Sequence, residues 1–447
     1  MADTLFDKGD PELPQPETPH AGVGGKPRLR KPFRQQKEMH YATLDEMLDS
    51  EHPVRAVWEL VQSLDLSAWL RDVKAVEGVC GRNGTDPRLL LALWVYATVQ
   101  GVASARELAR QCEHHTPYQW LCGGVTVNYH MLADFRSQGD SKLDELLTQV
   151  VAGLLDQKLV TLHRVAQDGM RVRASAGRSS FRSRRRLEEC RTEARQQVEV
   201  LKQLADADPQ ELSARQKAAR ERAERERQSR VRKAMEACED VEQKRHESRS
   251  RHKSKPALGS TTDPDARVMK MADGGYRPAY NVQFATDVAS GIIVGVDVVN
   301  AGSDNGQMAP MVDQVRKRYG VSPQNFLVDG GFASLPDIEH VETDHRCAVY
   351  MPIKDEVKKL AAGEDPYARG RSDTDAVAGW RTRMQSAAAK AIYKLRAQSA
   401  EWVNAICRNR NLQRMPVRGL KRTRAIGLLH ALTHNLLRSQ RLAVKPG

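Results

Sequence analysis

The 447-residue chain has little of what marks several large classes of protein. It contains no unbroken apolar run of the roughly 18 residues that a membrane-spanning helix needs, so no membrane partner is expected. The first 25 residues, MADTLFDKGDPELPQPETPHAGVGG, are polar and proline-rich and lack the apolar stretch of a secretory signal. Cysteine is sparse and odd in number. The seven lie at Cys80, Cys112, Cys122, Cys190, Cys238, Cys347 and Cys407, with no paired spacing that reads as a disulfide framework. That usage suits a reducing cytosol. The segment CEHHTPYQWLC fits no common zinc finger, so its cysteines read as apolar packing residues.

What the chain has in excess is positive charge. Lys and Arg number 70 against 57 Asp and Glu, a net charge of +13 that favours a polyanionic partner such as nucleic acid. Composition divides the chain. Residues 1–40 read as a disordered basic arm ending in KPRLRKPFRQQK, able to lie along phosphates. Residues 41–160 read as helical. DPRLLLALWVYATVQG is a buried helix, SARELARQC opens with Ser104 and Glu107 at capping-box spacing, and TVNYHMLADFR is a short helix bearing Arg136. This succession fits either a helix-turn-helix reader of the major groove, with Arg136 facing DNA, or an ordinary bundle. SKLDELLTQVVAGLLDQKLV carries a leucine stripe that faces a core.

Residues 178–256 are almost all charge and alanine, broken by Pro209, and predict an antiparallel helical hairpin inserted into a second region, 161–177 and 257–442. The insertion reads either as an arm that grips DNA or a partner, or as a solvated hairpin. Around it the chain alternates strands and helices. HRVAQDGMRVRASAG is a strand carrying Asp168, AYNVQFATD and GIIVGVDVVN form a hairpin about Gly291, and NFLVDGG is a strand ending at Asp329. The fold class is α/β, a mixed sheet core with an all-α N-terminal domain.

Asp168 and Asp329, in neighbouring strands about 4.8 Å apart, are able to converge on a cation. In YKLRAQSAEWVNAICR, counting from Tyr393, Arg396 falls at about −60°, Glu401 at about +80° and Arg408 at about +60° around a helix. One helix face then carries Tyr, Arg, carboxylate and Arg. Carboxylates that hold two Mg²⁺ ions, with Arg and Tyr on the phosphate oxygens, suit phosphoryl transfer. The competing reading makes both aspartates turn residues and Glu401 a surface ion-pair partner. Lys354 in MPIK is a further candidate phosphate contact.

The ordered series GTDPRLLLALWVYATVQGVASARELARQC, VNYHMLADFR, VAQDGMRVRASAG, TDPDARVMKMADGGYRPAYNVQFATD, LVDGGFAS, the Y-R-E helix and VRGLKRTRAIGLLHALTHNLLR resembles the DDE transposases of bacterial insertion sequences. The resemblance is collinear from about Arg28 to Arg438. It implies a ribonuclease H-like core in which Asp168 lies between two Mg²⁺ ions, Mn²⁺ being able to substitute, while Asp329 and Glu401 each hold one. It implies DNA contacts from Tyr393, Arg396 and Arg408, the last standing where the family usually has Lys. It also implies double-stranded DNA as element ends and target, a homodimer in the DNA complex, and a bacterial cytoplasmic location at the nucleoid. The gap from Arg396 to Glu401 is one residue longer than in the best-known branch. The implied activity is cleavage and strand transfer at the terminal inverted repeats. A non-catalytic DNA-binding regulator and a metal-dependent nuclease without strand transfer are the alternatives.

Overall fold

The computed structural model describes residues 41–78, 80, 83–207, 214–247 and 256–443, together with Pro32, Arg34, Gln35 and Lys37. Most of the expected basic arm and the turn at Pro209 lie outside the described residues. The chain divides into two units, 1–43 and 44–447, and every described helix and strand belongs to the second.

Helices come first: α1 (Pro53–Gln62), α2 (Ser67–Leu70), α3 (Pro87–Val99), α4 (Ala105–His114), α5 (Thr116–Cys122), α6 (Tyr129–Gln138) and α7 (Asp140–Asp156). Asp86 caps α3 by accepting from Arg88 N, and Pro87 supplies a first turn that needs no amide donor. Because apolar residues surround α3 on all sides, every residue from Leu89 to Thr98 is buried. Ser104 caps α4 through Glu107 N at 3.4 Å, the expected capping contact. Leu143, Leu146, Leu147, Val151 and Leu154 form the buried face of α7.

The main sheet holds β1 (Arg164–Arg173), β4 (Arg267–Lys270), β5 (Tyr276–Asp287), β6 (Ile293–Val299), β7 (Asn325–Leu327) and β8 (Ala348–Tyr350). β5 pairs antiparallel with β1, β4 and β6, and β7 lies parallel to both β1 and β8. The order β6-β5-β1-β7-β8, antiparallel on one side of β1 and parallel on the other, is that of a ribonuclease H-like core. The β5–β6 turn contains Gly291 at φ +73°, a conformation glycine reaches without a Cβ clash.

Between β1 and β4 the chain leaves the sheet as β2 (Phe181–Ser183), α8 (Arg184–Ala207), α9 (Ala214–Glu247) and β3 (Leu258–Ser260). β2 and β3 pair at the base. Above them a thin apolar seam of Leu187, Ala234 and Cys238 continues to buried Ala194 and Val231. Arg184 reaching Glu239 and Glu242, and Arg227 reaching Glu193, set the two helices antiparallel, as the sequence predicts.

After β6 come α10 (Met308–Tyr319), α11 (Leu335–Asp344), α12 (Glu356–Ala361), α13 (Asp375–Gln385), α14 (Ala387–Arg396), a π-turn over Ala397–Glu401, α15 (Trp402–Asn409) and α16 (Leu420–Ala443). α16 is buried along Ala425–Asn435 and is stitched to β6 by Asn435, whose amide accepts from Ile293 N and donates to Ile293 O, both at 2.8 Å. A single apolar core runs from the N-terminal helices to the sheet. Asp144 of α7 contributes polar ties, accepting from Arg424 of α16 at 3.0 Å and from Arg318 of α10.

Candidate active site

The β1–β7 register decides whether the two aspartates meet. Arg164 pairs with Asn325 and Ala166 with Leu327, an offset of 325 − 164 = 161. The separation of Asp168 and Asp329 is also 329 − 168 = 161, so the two stand at one level on adjacent chain segments. Asp329 lies just past the end of its strand. Asp168, expected near a strand end, instead sits in mid-strand, because β5 continues to pair with β1 as far as Arg173.

Asp329 caps the turn Gly330–Phe332, its Oδ1 accepting from Gly331 N at 2.8 Å. Asp168 is more enclosed. Its Oδ2 accepts from Asn404 Nδ2 at 2.9 Å, and its Oδ1 lies 3.5 Å from Arg396 Nη1. Burial pushes its carboxyl up to about 6. The Arg396 charge opposes that rise, and the negative charges of Asp329 and Asp304 add to it.

Glu401 arrives by a route that α-helical spacing does not give. The expected single helix is interrupted by the π-turn between α14 and α15. In an α-helix Arg396 and Glu401 would diverge, whereas the wider π-turn absorbs one more residue and returns both to one face. Arg396 Nη2 donates to Glu401 Oε1 at 2.6 Å. The guanidinium therefore stands between Asp168 and Glu401, with its carbon 6.0 Å from the Tyr393 ring centre. This turn also accounts for the extra residue between Arg396 and Glu401.

The other expected contacts are dispersed. Lys354 is exposed on the segment after β8, whose Pro352 lies 3.6 Å from where a Cβ on Gly330 would stand, so it runs beside the Asp329 turn. Arg408 is exposed at the last turn of α15. Arg136 is not on an exposed face. It is buried, its guanidinium 4.3 Å from the Trp94 ring centre and donating to Ala103 O at 2.5 Å. Trp94 and Arg136 are distant in sequence, and the packing of α3 on α6 claims the arginine. Trp402 packs edge-on against His434 at 5.5 Å.

Two neighbours are absent from the sequence reading. Asn404, one helical turn beyond Glu401, was legible as a polar residue on a buried stripe with Val403 and Cys407. Asp304, in AGSDNGQ, reads as turn chemistry. It is buried, accepting from Asn281 Nδ2 and Gln283 Nε2, both at 2.7 Å.

The donor set fits a hard divalent cation. It is made of carboxylate oxygens and one amide oxygen, Asn404 Oδ1, which is buried without a hydrogen-bond partner beside Asp168. Asp168, Asp329 and Glu401 do not bring their oxygens within 4.8 Å of one another. Among the described residues the group that does is Asp313, His340 and His345, on and beside α10 and α11.

Residues 248–436 match the family model described as a transposase DDE domain, and residues 42–138 match the one described as Transposase domain (DUF772). The first match includes Asp329 and Glu401 and begins after Asp168. No curated protein and no solved structure matches the chain. The sheet order and the two domains define a transposase with a DDE catalytic domain. Their pairing is typical of the transposases of bacterial insertion sequences, and the chain belongs to that family. The family works with a divalent metal. No helix among the described residues is long and apolar enough to cross a membrane.

Proposed function

We propose that the chain binds the terminal inverted repeats of its insertion sequence and catalyses DNA cleavage and strand transfer, with Asp168, Asp329 and Glu401 as the catalytic metal-holding carboxylates. The single observation that carries this reading is the shared register offset of 161, which sets Asp168 level with Asp329, while Arg396 links Asp168 to Glu401.

Two divalent cations, Mg²⁺ or in its place Mn²⁺, would supply activation of the attacking oxygen and charge stabilisation on the leaving one. The chain's own residues do the rest. Asn404 and Arg396 hold the Asp168 carboxylate from two sides and fix its orientation. Arg396, braced by Tyr393 and Glu401, offers a guanidinium whose planar fork matches phosphate oxygens. Lys354, beside the Asp329 turn, and Arg408 add positive charge for the DNA backbone. Both chemical steps are in-line displacements at phosphorus: water attacks first, expelling a 3′ oxygen, and the freed 3′ hydroxyl then attacks a target phosphodiester, forming a new P–O bond as the target strand's 3′ oxygen leaves.

We further assign residues 41–160 to DNA binding, with residues 1–40 lying along phosphates, and 161–177 with 257–442 to catalysis. The 178–256 hairpin is an insertion beside the catalytic core. Two element ends must meet, so the working DNA complex is a homodimer. The location is the bacterial cytoplasm, at the nucleoid.

Purified protein with Mg²⁺ and DNA carrying the element's ends should cleave and join. Asp329→Ala should bind that DNA with unchanged affinity and do neither. Binding without cleavage by the wild type would make the chain a regulator, and cleavage without joining would make it a nuclease. Full cleavage by the alanine variant would refute the carboxylate assignment.

A further inference from the structure

Asp304 is a buried acid placed next to two other acids, an arrangement that needs a reason. Its Oδ1 accepts from Asn281 and Gln283 on β5, each at 2.7 Å, and its Oδ2 lies 3.5 Å from Arg171 Nη2, too long for a firm hydrogen bond. A carboxylate held mainly by neutral amides, with Arg171 only at the edge of ion-pair distance, is costly to bury. The surrounding glycines show what the position does. A Cβ on Gly169 would lie 2.1 Å from Asp304 Oδ1, and one on Gly331 would lie 3.8 Å from its Oδ2. Gly169 follows Asp168 and Gly331 is two residues after Asp329, so the Asp304 carboxylate is seated against the backbone next to both aspartates. The Asp-Gly pair in VAQDGM is explained by this seat, since only glycine leaves the carboxylate room. A second observation is an unpartnered polar atom at the same seat. Asn281 Oδ1, on a fully buried residue, has no hydrogen-bond partner and lies 2.9 Å from the same Gly169 Cβ position.

We infer that Asp304 is a positioning residue of the catalytic centre, fixing the spacing of the Asp168 and Asp329 segments and adding the negative charge that draws divalent cations to them. The inference rests on the proposed catalytic reading and deepens it. Seated beside both segments, the Asp304 carboxylate makes their surroundings more negative than the three proposed ligands alone.

The test is Mn²⁺ alone, titrated into the full-length protein and followed by electron paramagnetic resonance of the free ion. Asp304→Asn keeps the acceptor for Asn281 and Gln283 and removes the charge. We expect a melting temperature without metal that is no lower than wild type and Mn²⁺ affinity lowered by about 10- to 100-fold, the range seen when groups behind metal ligands are removed. Asn281→Ala, which keeps the Asp304 charge and loosens its seat, should weaken Mn²⁺ severalfold and serves if the first variant fails to fold. Wild-type Mn²⁺ affinity in a folded Asp304→Asn, alongside loss of binding in Asp168→Asn, would overturn the role of Asp304 and leave the centre standing. Wild-type affinity in Asp168→Asn would overturn the centre itself, and this inference with it.

Discussion

Asp168 shows at the scale of single residues how a carboxylate is kept ready and not neutralised by a permanent partner. Arg396 shares its charge between Asp168 and Glu401, and Asn404 supplies the closest side-chain donor to Asp168, at 2.9 Å. Asn404→Ala removes that donor without altering net charge. We expect cleavage to fall by about 10- to 100-fold with end-DNA affinity retained, measured as single-turnover rates beside binding curves. Residue types made Asp168, Asp329, Arg396 and Glu401 candidates, because carboxylates and arginine suggest metal and phosphate wherever they sit. Asp304 was not legible, since an Asp within Gly-Ser-Asp-Asn-Gly is ordinary loop chemistry until the partner strand is known. Arg136 misleads for the same reason. A basic residue on a short helix reads as exposed, and only the contact with Trp94 shows it buried.

Among the elements, those with strong local signals match the sequence reading closely. The β5–β6 hairpin, the capped α4 and the uniformly apolar α3 are each set by residues a few positions apart. The π-turn escapes such reading, because a 3.6-residue period is assumed in projecting a helix and nothing local in AQSAE contradicts it. α16 has a property of its own. Burial, reinforced by the charge of Arg410, pushes His430 down to about 3, and burial pushes His434 down to about 4 despite its hydrogen bond to Gly291 O. Both stay neutral in the folded chain near pH 7, whereas in the unfolded chain they titrate near 6.5. The unfolded state therefore binds more protons below that value, and stability falls as pH drops. The contribution is fully present above about pH 6.5 and is lost between there and about pH 4, on the order of 3 kcal/mol for His434. Urea midpoints at pH 7.5 and pH 5 should differ accordingly, and His434→Gln, which can still donate to Gly291 O, should reduce the difference.

For the whole molecule, three distant segments have to be brought to one place, and the fold does this through shared packing. α16 lies against α7, α3 and β6 at once, and Asp144 ties α7 to α10 and α16. The helical region and the catalytic sheet are thereby one core. This continuity was not legible from composition, which marks where the residue mix changes and is silent on which faces meet across the change. Sheet order was legible only through the family resemblance, because strand pairing between positions 161 apart has no local signature.

The central claim is that this core assembles a metal-holding centre with Asp329 as a ligand. The most direct test is Asp329→Cys, assayed for cleavage of end DNA in Mg²⁺ and then with Mn²⁺ or Cd²⁺ added, since a thiolate is a poor ligand for Mg²⁺ and a better one for softer cations. The account predicts no cleavage in Mg²⁺ and recovery with the thiophilic ion. Undiminished cleavage by the cysteine variant in Mg²⁺ would contradict it.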